Sequence, residues 1–216
     1  MKARPILFSA PMVCALLDDR KTQTRRALPK QPPADFDVAS AVTSDGGAVI
    51  YKSSLGSPGG YHINCPYGKR GDLLWVRESW TTRQGLDKVR PRDISPLQSV
   101  GYLADDEGPW LGKKRPSIFM PKWASRITLE IVDVRVERLQ DVSREDATAE
   151  GYPFRDAPLS CTPPESWFAQ LWRDINGQKA WSDNPWVWVV GFKVHKANVN
   201  DFLTNQPKRR MNLWHK

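Results

Sequence analysis

Residues 18–26 read DDRKTQTRR: two acids, then Arg20, Lys21, the hydroxyls of Thr22 and Thr24, and the pair Arg25 and Arg26. One lysine and two hydroxyls among three arginines could hold an anion, or a nucleophile and its base. An ordinary lysine, with a pKa of about 10.4, is mostly protonated at neutral pH and is a poor base. Burial and nearby cations both lower that value. Arg20, Arg25 and Arg26 are such cations in sequence. The guanidinium forks of Arg25 and Arg26 also suit a phosphate or a carbonyl oxygen. Without chemistry, the same stretch is a solvated turn whose lysine favours the C-terminal end of the preceding helix.

Two further stretches carry groups that could join it. In residues 140–152, QDVSREDATAEGY, Ser143 and Asp146 have capping-box spacing and Gly151 is a stop signal. This makes a short helix that ends at Glu150. A carboxylate there opposes the helix dipole, so a functional role is one reason for keeping it. In residues 68–80, GKRGDLLWVRESW, a Gly-Asp turn precedes a strand. Leu73, Trp75 and Arg77 share one face, and Leu74, Val76 and Glu78 the other. Glu78 could accept from an exocyclic amine while Trp80 stacks on the ring. Trp75 reads as core. The plain alternative leaves Arg77 and Glu78 on a solvated edge.

These residues need elements to position them. Residues 5–9, PILFS, read as a buried strand. Residues 10–19 read as a helix with Ser9 at its N-cap and Pro11 in its first turn. Residues 125–139, SRITLEIVDVRVERL, alternate with period two and slip phase near Val132 and Asp133, as a bulge would cause. Residues 163–176 form an amphipathic helix with Trp167, Phe168, Leu171, Trp172 and Ile175 on its apolar side. Residues 185–194 form a last, inner strand. Two Pro- and Gly-rich stretches, about 29–64 and 81–116, read as irregular insertions, the first with a hairpin across Ala48 to Lys52. Strands outnumber helices without regular alternation, which favours a small mixed α+β barrel over a doubly wound sheet.

Composition narrows the class. The chain has 216 residues and a net charge of +8, which suits one domain (1–194) and a basic tail (195–216). From Lys193 onward there are six basic residues, Lys208, Arg209 and Arg210 among them, and one acid, so this end holds +5 of the +8. The tail is either a nucleic-acid-contacting arm or a solubilising terminus. The three cysteines are scattered, and no Cys/His cluster offers a metal site or disulfide framework. No metal or cofactor is expected. No apolar run approaches the roughly 20 residues of a membrane span, and the N-terminus does not read as a signal peptide. A cytoplasmic protein without membrane contact is expected. His62, His195 and His215 lie in an insertion and the tail and receive no role.

The helix followed by RKTQTRR, the GDLLWVRE strand and the long strand leading to SREDATAEG together resemble the ASCH domain family. More narrowly, PILFS, KTQTRR and WVRE-W resemble ASCH proteins encoded in prophages and phages. The resemblance covers nearly the whole chain and implies a PUA-like β-barrel with flanking short helices and two insertions. It also implies RNA or modified nucleosides as partners. Small bacterial members include an amidohydrolase that deacetylates N4-acetylcytidine. Their lysine, threonine and glutamate match Lys21, Thr24 and Glu150 here. The implied reaction is hydrolysis of an N4-acylated cytidine-type nucleoside, with Thr24 as nucleophile, Lys21 as base and Glu150 assisting proton transfer. Arg25, Arg26, Arg77, Glu78 and Trp80 would bind substrate. Family membership alone does not select one activity. An RNA or single-stranded nucleic-acid binding module and a metal-independent ribonuclease are the rival readings. A phage accessory or assembly role is more remote, since the chain shows no coiled coil or repeat.

Overall fold

The computed structural model describes residues 1–33, 36, 38–39, 46–51, 60–105, 112–154 and 162–205. The fold is α+β. Its frame is a five-stranded mixed sheet built from β1 (Ala3–Leu7), β2 (Gln23–Ala27), β6 (Leu73–Arg77), β9 (Thr128–Arg138) and β10 (Trp186–His195). The order is β1-β6-β9-β10-β2. β1 runs parallel to β6, and the other pairings are antiparallel. β1 and β2 stand at the two ends of this order, and among the described residues no ladder joins them.

The alternation read in the sequence decides the two faces. Leu74 and Val76 of β6 join the main core with Leu129, Ile131, Trp188 and Val190. Leu73 and Trp75 face the other way, against Val199. The phase slip in β9 is a bulge. Gly191 pairs with Asp133 and Phe192 with Ile131, so Val132 is the extra residue on β9. β10 is an inner strand, between β9 and β2, and its apolar run is buried on both faces.

Helix α1 (Ala10–Leu17) covers the sheet with Met12, Val13, Ala15 and Leu16. Ser9 holds the N-cap position but makes no side-chain cap bond. Helix α2 (Arg144–Ala149) has the expected cap: Ser143 Oγ accepts from the Asp146 amide at 3.1 Å. Glu150 is one step beyond its expected place, at the C-cap rather than inside the helix. Helix α3 (Pro164–Asn176) buries Phe168, Ala169 and Trp172, but Ile175 is exposed. α3 is followed by the single-turn α4 (Lys179–Ser182).

Among the described residues, both insertions contain regular structure. The first carries a three-stranded sheet, β3 (Val38–Ala39), β4 (Gly47–Tyr51) and β5 (Tyr61–Asn64); of the expected hairpin, Lys52 lies outside the described residues. The second builds its own small core. β7 (Trp80–Thr81) pairs with β8 (Gly101–Tyr102), and Trp80, Ile94, Met120 and Ala124 pack together. Arg115 clamps it by donating to the carbonyls of Leu86 and Val89. The domain also reaches past residue 194. β10 ends at His195, and α5 (Val199–Asn205) docks Val199 and Phe202 beside Leu73 and Trp75. Lys208, Arg209, Arg210 and His215 lie outside the described residues.

Candidate active site

The chain reverses after α1 through Asp19, whose φ is +56°. The Lys21 amide then bonds the Ala15 carbonyl at 2.9 Å, and the Thr22 amide bonds the Ala149 carbonyl at 2.9 Å. The opening motif is thus seated on the end of α2, and Lys21 and Glu150 form an isolated antiparallel bridge. Arg20 adds a bond from Nη1 to the Gly151 carbonyl at 3.0 Å. Gly151 has a φ of +106°, a conformation glycine adopts without steric cost. A Cβ there would sit 3.0 Å from the Ala15 Cβ and 3.3 Å from the Lys21 Cβ. Gly151→Ala is therefore expected to cost roughly 1–3 kcal/mol, read as a lowered thermal midpoint, and to loosen Glu150 from Lys21.

Lys21 is 1 % exposed and Glu150 3 %. Lys21 Nζ donates to Glu150 Oε2 and to the Glu150 carbonyl, both at 2.8 Å. Burial lowers the Lys21 pKa from 10.5; Glu150 opposes the shift, and Arg26 and Arg25 add to it. A carboxylate beside a lysine raises its pKa, but here desolvation of the ammonium is the larger effect and the net shift is downward.

Strand β2 supplies the next residues. It is an edge strand, so a cavity can wrap around it and meet both faces. Thr24 pairs with Val190, Arg25 with Val189 and Arg26 with Trp188 across the β10 ladder. Thr24 and Arg26 therefore share one face and Arg25 takes the other. Lys21, Thr24, Arg25, Arg26 and Glu150 all line one cavity of about 170 Å³. Leu7 and Phe8, at the end of β1, close one side, and Phe168 and Trp172 of α3 close another. The site thus lies between the two edge strands of the sheet.

Arg25 is held rigidly. Its Nη2 bonds Glu137 Oε2 at 2.9 Å and Asp146 Oδ2 at 2.7 Å. Arg135 braces the same two acids from outside. Burial raises the Asp146 pKa, but the hydrogen bond and charge of Arg25, with Arg135, outweigh it and hold the group below its ordinary 3.8. Arg25 Nη1 is left buried without a hydrogen bond, 3.6 Å from Glu150 Oε1, which is also buried and unbonded. Arg26 Nη2 donates to the Leu7 carbonyl at 2.6 Å and so links the two sheet edges. Among the described residues, none of the hydrogen bonds involves the Thr24 hydroxyl.

Arg77, Glu78 and Trp80 do not line this cavity. Arg77 lies 4.6 Å over the Trp75 ring and donates to the Ile118 carbonyl. Glu78 is 1 % exposed and accepts two bonds of 3.0 Å from Arg126, which also holds Asp105. Burial pushes the Glu78 carboxyl above its ordinary range, against the pull of Arg126. Trp80 has no exposed surface, so it stacks on no nucleobase here. These residues join the second insertion to the sheet instead. The sequence reading missed the cavity roles of Phe8 and of α3. Only the apolar stripe containing Trp172 could have signalled the latter, and it reads the same as ordinary core.

Among the described residues, no group of three or more His, Cys, Asp or Glu is placed to hold a metal, and no helix is long and apolar enough to cross a membrane. Fold and site define an α+β protein with a buried lysine–glutamate pair and a threonine in one cavity at the sheet edge. No protein-family model matches the chain, and neither a curated protein nor a solved structure matches it.

Proposed function

We propose that the protein is an ASCH-type amidohydrolase acting on an N4-acylated cytidine-type nucleoside. One observation carries the reading: Lys21 Nζ is buried and bonded to Glu150, 129 positions away, and both residues line a cavity that Thr24 also lines. The link from Arg26 to Leu7 supports a PUA-like arrangement in which the sheet curls and its two edges meet at the site.

The chemistry follows from the groups present. Neutral Lys21 takes the proton of the Thr24 hydroxyl as Oγ1 attacks the amide carbonyl. Arg26, on the face of Thr24, and Arg25, on the other, both line the cavity with buried N–H groups that lack hydrogen bonds, and these are the donors available for the developing oxyanion. As the C–N bond breaks, Lys21 returns the proton to the leaving amine. Glu150 Oε2 holds the lysine, and Oε1 is free to accept the amine N–H. A water molecule then cleaves the acyl-threonine ester, with Lys21 again as base. The products are a carboxylic acid and the free exocyclic amine.

The pH dependence has a defined sign. The reactive form is deprotonated Lys21, so kcat/KM rises with pH and levels off above the Lys21 pKa. Burial lowers that pKa, so the limb falls below the range of an ordinary lysine. The test is hydrolysis of N4-acetylcytidine across pH, followed by chromatography. Cytidine release on a rising limb below pH 10.5 is the expected result. No release at any pH defeats the reading and turns attention to nucleic-acid binding or cleavage.

A further inference from the structure

The cavity of about 170 Å³ is small for a whole ligand; sites for small molecules run from about 300 to 1,000 Å³. It does not stand alone. A second, more open cavity of about 450 Å³ lies between the end of β2, the C-terminal end of α3 and α4. Ala27, Trp172 and Asn176 line both. The second cavity is bordered by Arg138, Asn176 and Asp183, side chains able to exchange hydrogen bonds with hydroxyl groups, and by Gln31, whose amide is held by the backbone of Leu28 and Trp186. Its walls carry apolar surface from Pro32 and Pro185.

Trp172 stands between the two cavities. It is 6 % exposed, and its indole N–H is buried without a hydrogen-bond partner. A buried donor left unpaired is unfavourable, because it gives up its bond to water and gains none in return. Packing needs only the ring, which meets Phe168 at 6.1 Å. The N–H is therefore the part of Trp172 that folding leaves unused.

We infer that the second cavity is a sugar subsite and that the Trp172 N–H donates to an oxygen of the pentose where the ligand passes between the cavities. The ligand is then a nucleoside, with its base beside Lys21 and its sugar against Asn176 and Arg138. The identity of the base rests on the amidohydrolase reading. The subsite rests on the paired cavities and the orphaned donor.

Calorimetric titration with cytidine and with cytosine tests this, alongside kcat/KM for the N4-acetyl form of each. Wild type is expected to bind cytidine about tenfold more tightly than cytosine, one good hydrogen bond's worth. Trp172→Phe keeps the ring and removes the donor. It should erase most of that preference while its ligand-free thermal midpoint stays level or rises, which loss of packing would not produce. Asp183→Trp fills the second cavity from an exposed position, at the loss of an exposed ion pair to Lys179, and should also erase the preference. Equal affinity of wild type for cytidine and cytosine, or binding of neither, overturns the inference. Preference for cytidine with no hydrolysis of either acetylated compound overturns the amidohydrolase reading and leaves the subsite standing.

Discussion

Lys21→Met is expected to destabilise the protein by about 3–5 kcal/mol, because it leaves the Glu150 carboxylate buried without its cation. The partner lost stands 2.8 Å away, and the nearest remaining cation, Arg25 Nη1, is at 3.6 Å without a hydrogen bond. For a chain of this size each kcal/mol moves the thermal midpoint by about 2–4 °C, so a fall on the order of 10 °C should be seen by calorimetry. Lys21→Met with Glu150→Gln removes both charges, and most of the lost stability should return. A single variant as stable as wild type would mean that the pair is not buried as described.

The same pair fixes a pH dependence. Lys21 holds its proton less tightly folded than unfolded, since burial lowers its pKa from 10.5. Between the folded and unfolded values the unfolded chain binds more protons, so the contribution of Lys21 to stability rises with pH across that window. Glu150→Gln removes the opposing carboxylate, lowers the folded pKa further and widens the window. Denaturant melts of Glu150→Gln at pH 7 and pH 10 should show the variant approaching wild type at the higher pH.

The second large effect is on activity. Thr24→Ala should lower kcat/KM for N4-acetylcytidine by at least about a thousandfold, roughly 4 kcal/mol of transition-state stabilisation. The fold should survive. Thr24 lies on the edge strand with no hydrogen bond to its hydroxyl among the described residues, so little beyond one methyl contact is lost. Thr24→Ser keeps the nucleophile and should retain part of the rate, whereas the isosteric Thr24→Val should not. A Thr24→Ala protein with near wild-type rate would mean that Lys21 activates water directly and that threonine only shapes the pocket.

Local rules carried much of the fold. The period-two alternation of residues 73–77 and 128–138 assigned both faces of β6 and β9, and the break near Val132 located the bulge. Pro11, Ser143 and Gly151 marked helix ends through backbone preferences that act within a few residues. The second insertion read as irregular because its order comes from partners distant in sequence: Arg115 on Trp80, and Asp105 on Arg126.

The sequence by itself determined the chemical types and the close spacing of Lys21, Thr24, Arg25 and Arg26, because these depend on one turn and one strand. It also set Glu150 at the end of a capped helix. Only the tertiary structure decided which charged groups meet. Glu78 and Glu150 are both acids at element ends. One is spanned by an arginine 48 positions away, and the other faces a lysine 129 positions away. Nothing local separates them, because the burial that lowers the Lys21 pKa exists only once α2 and the edge strand have packed. The cavity itself is likewise a product of packing, since α3 reaches β2 only across the folded sheet.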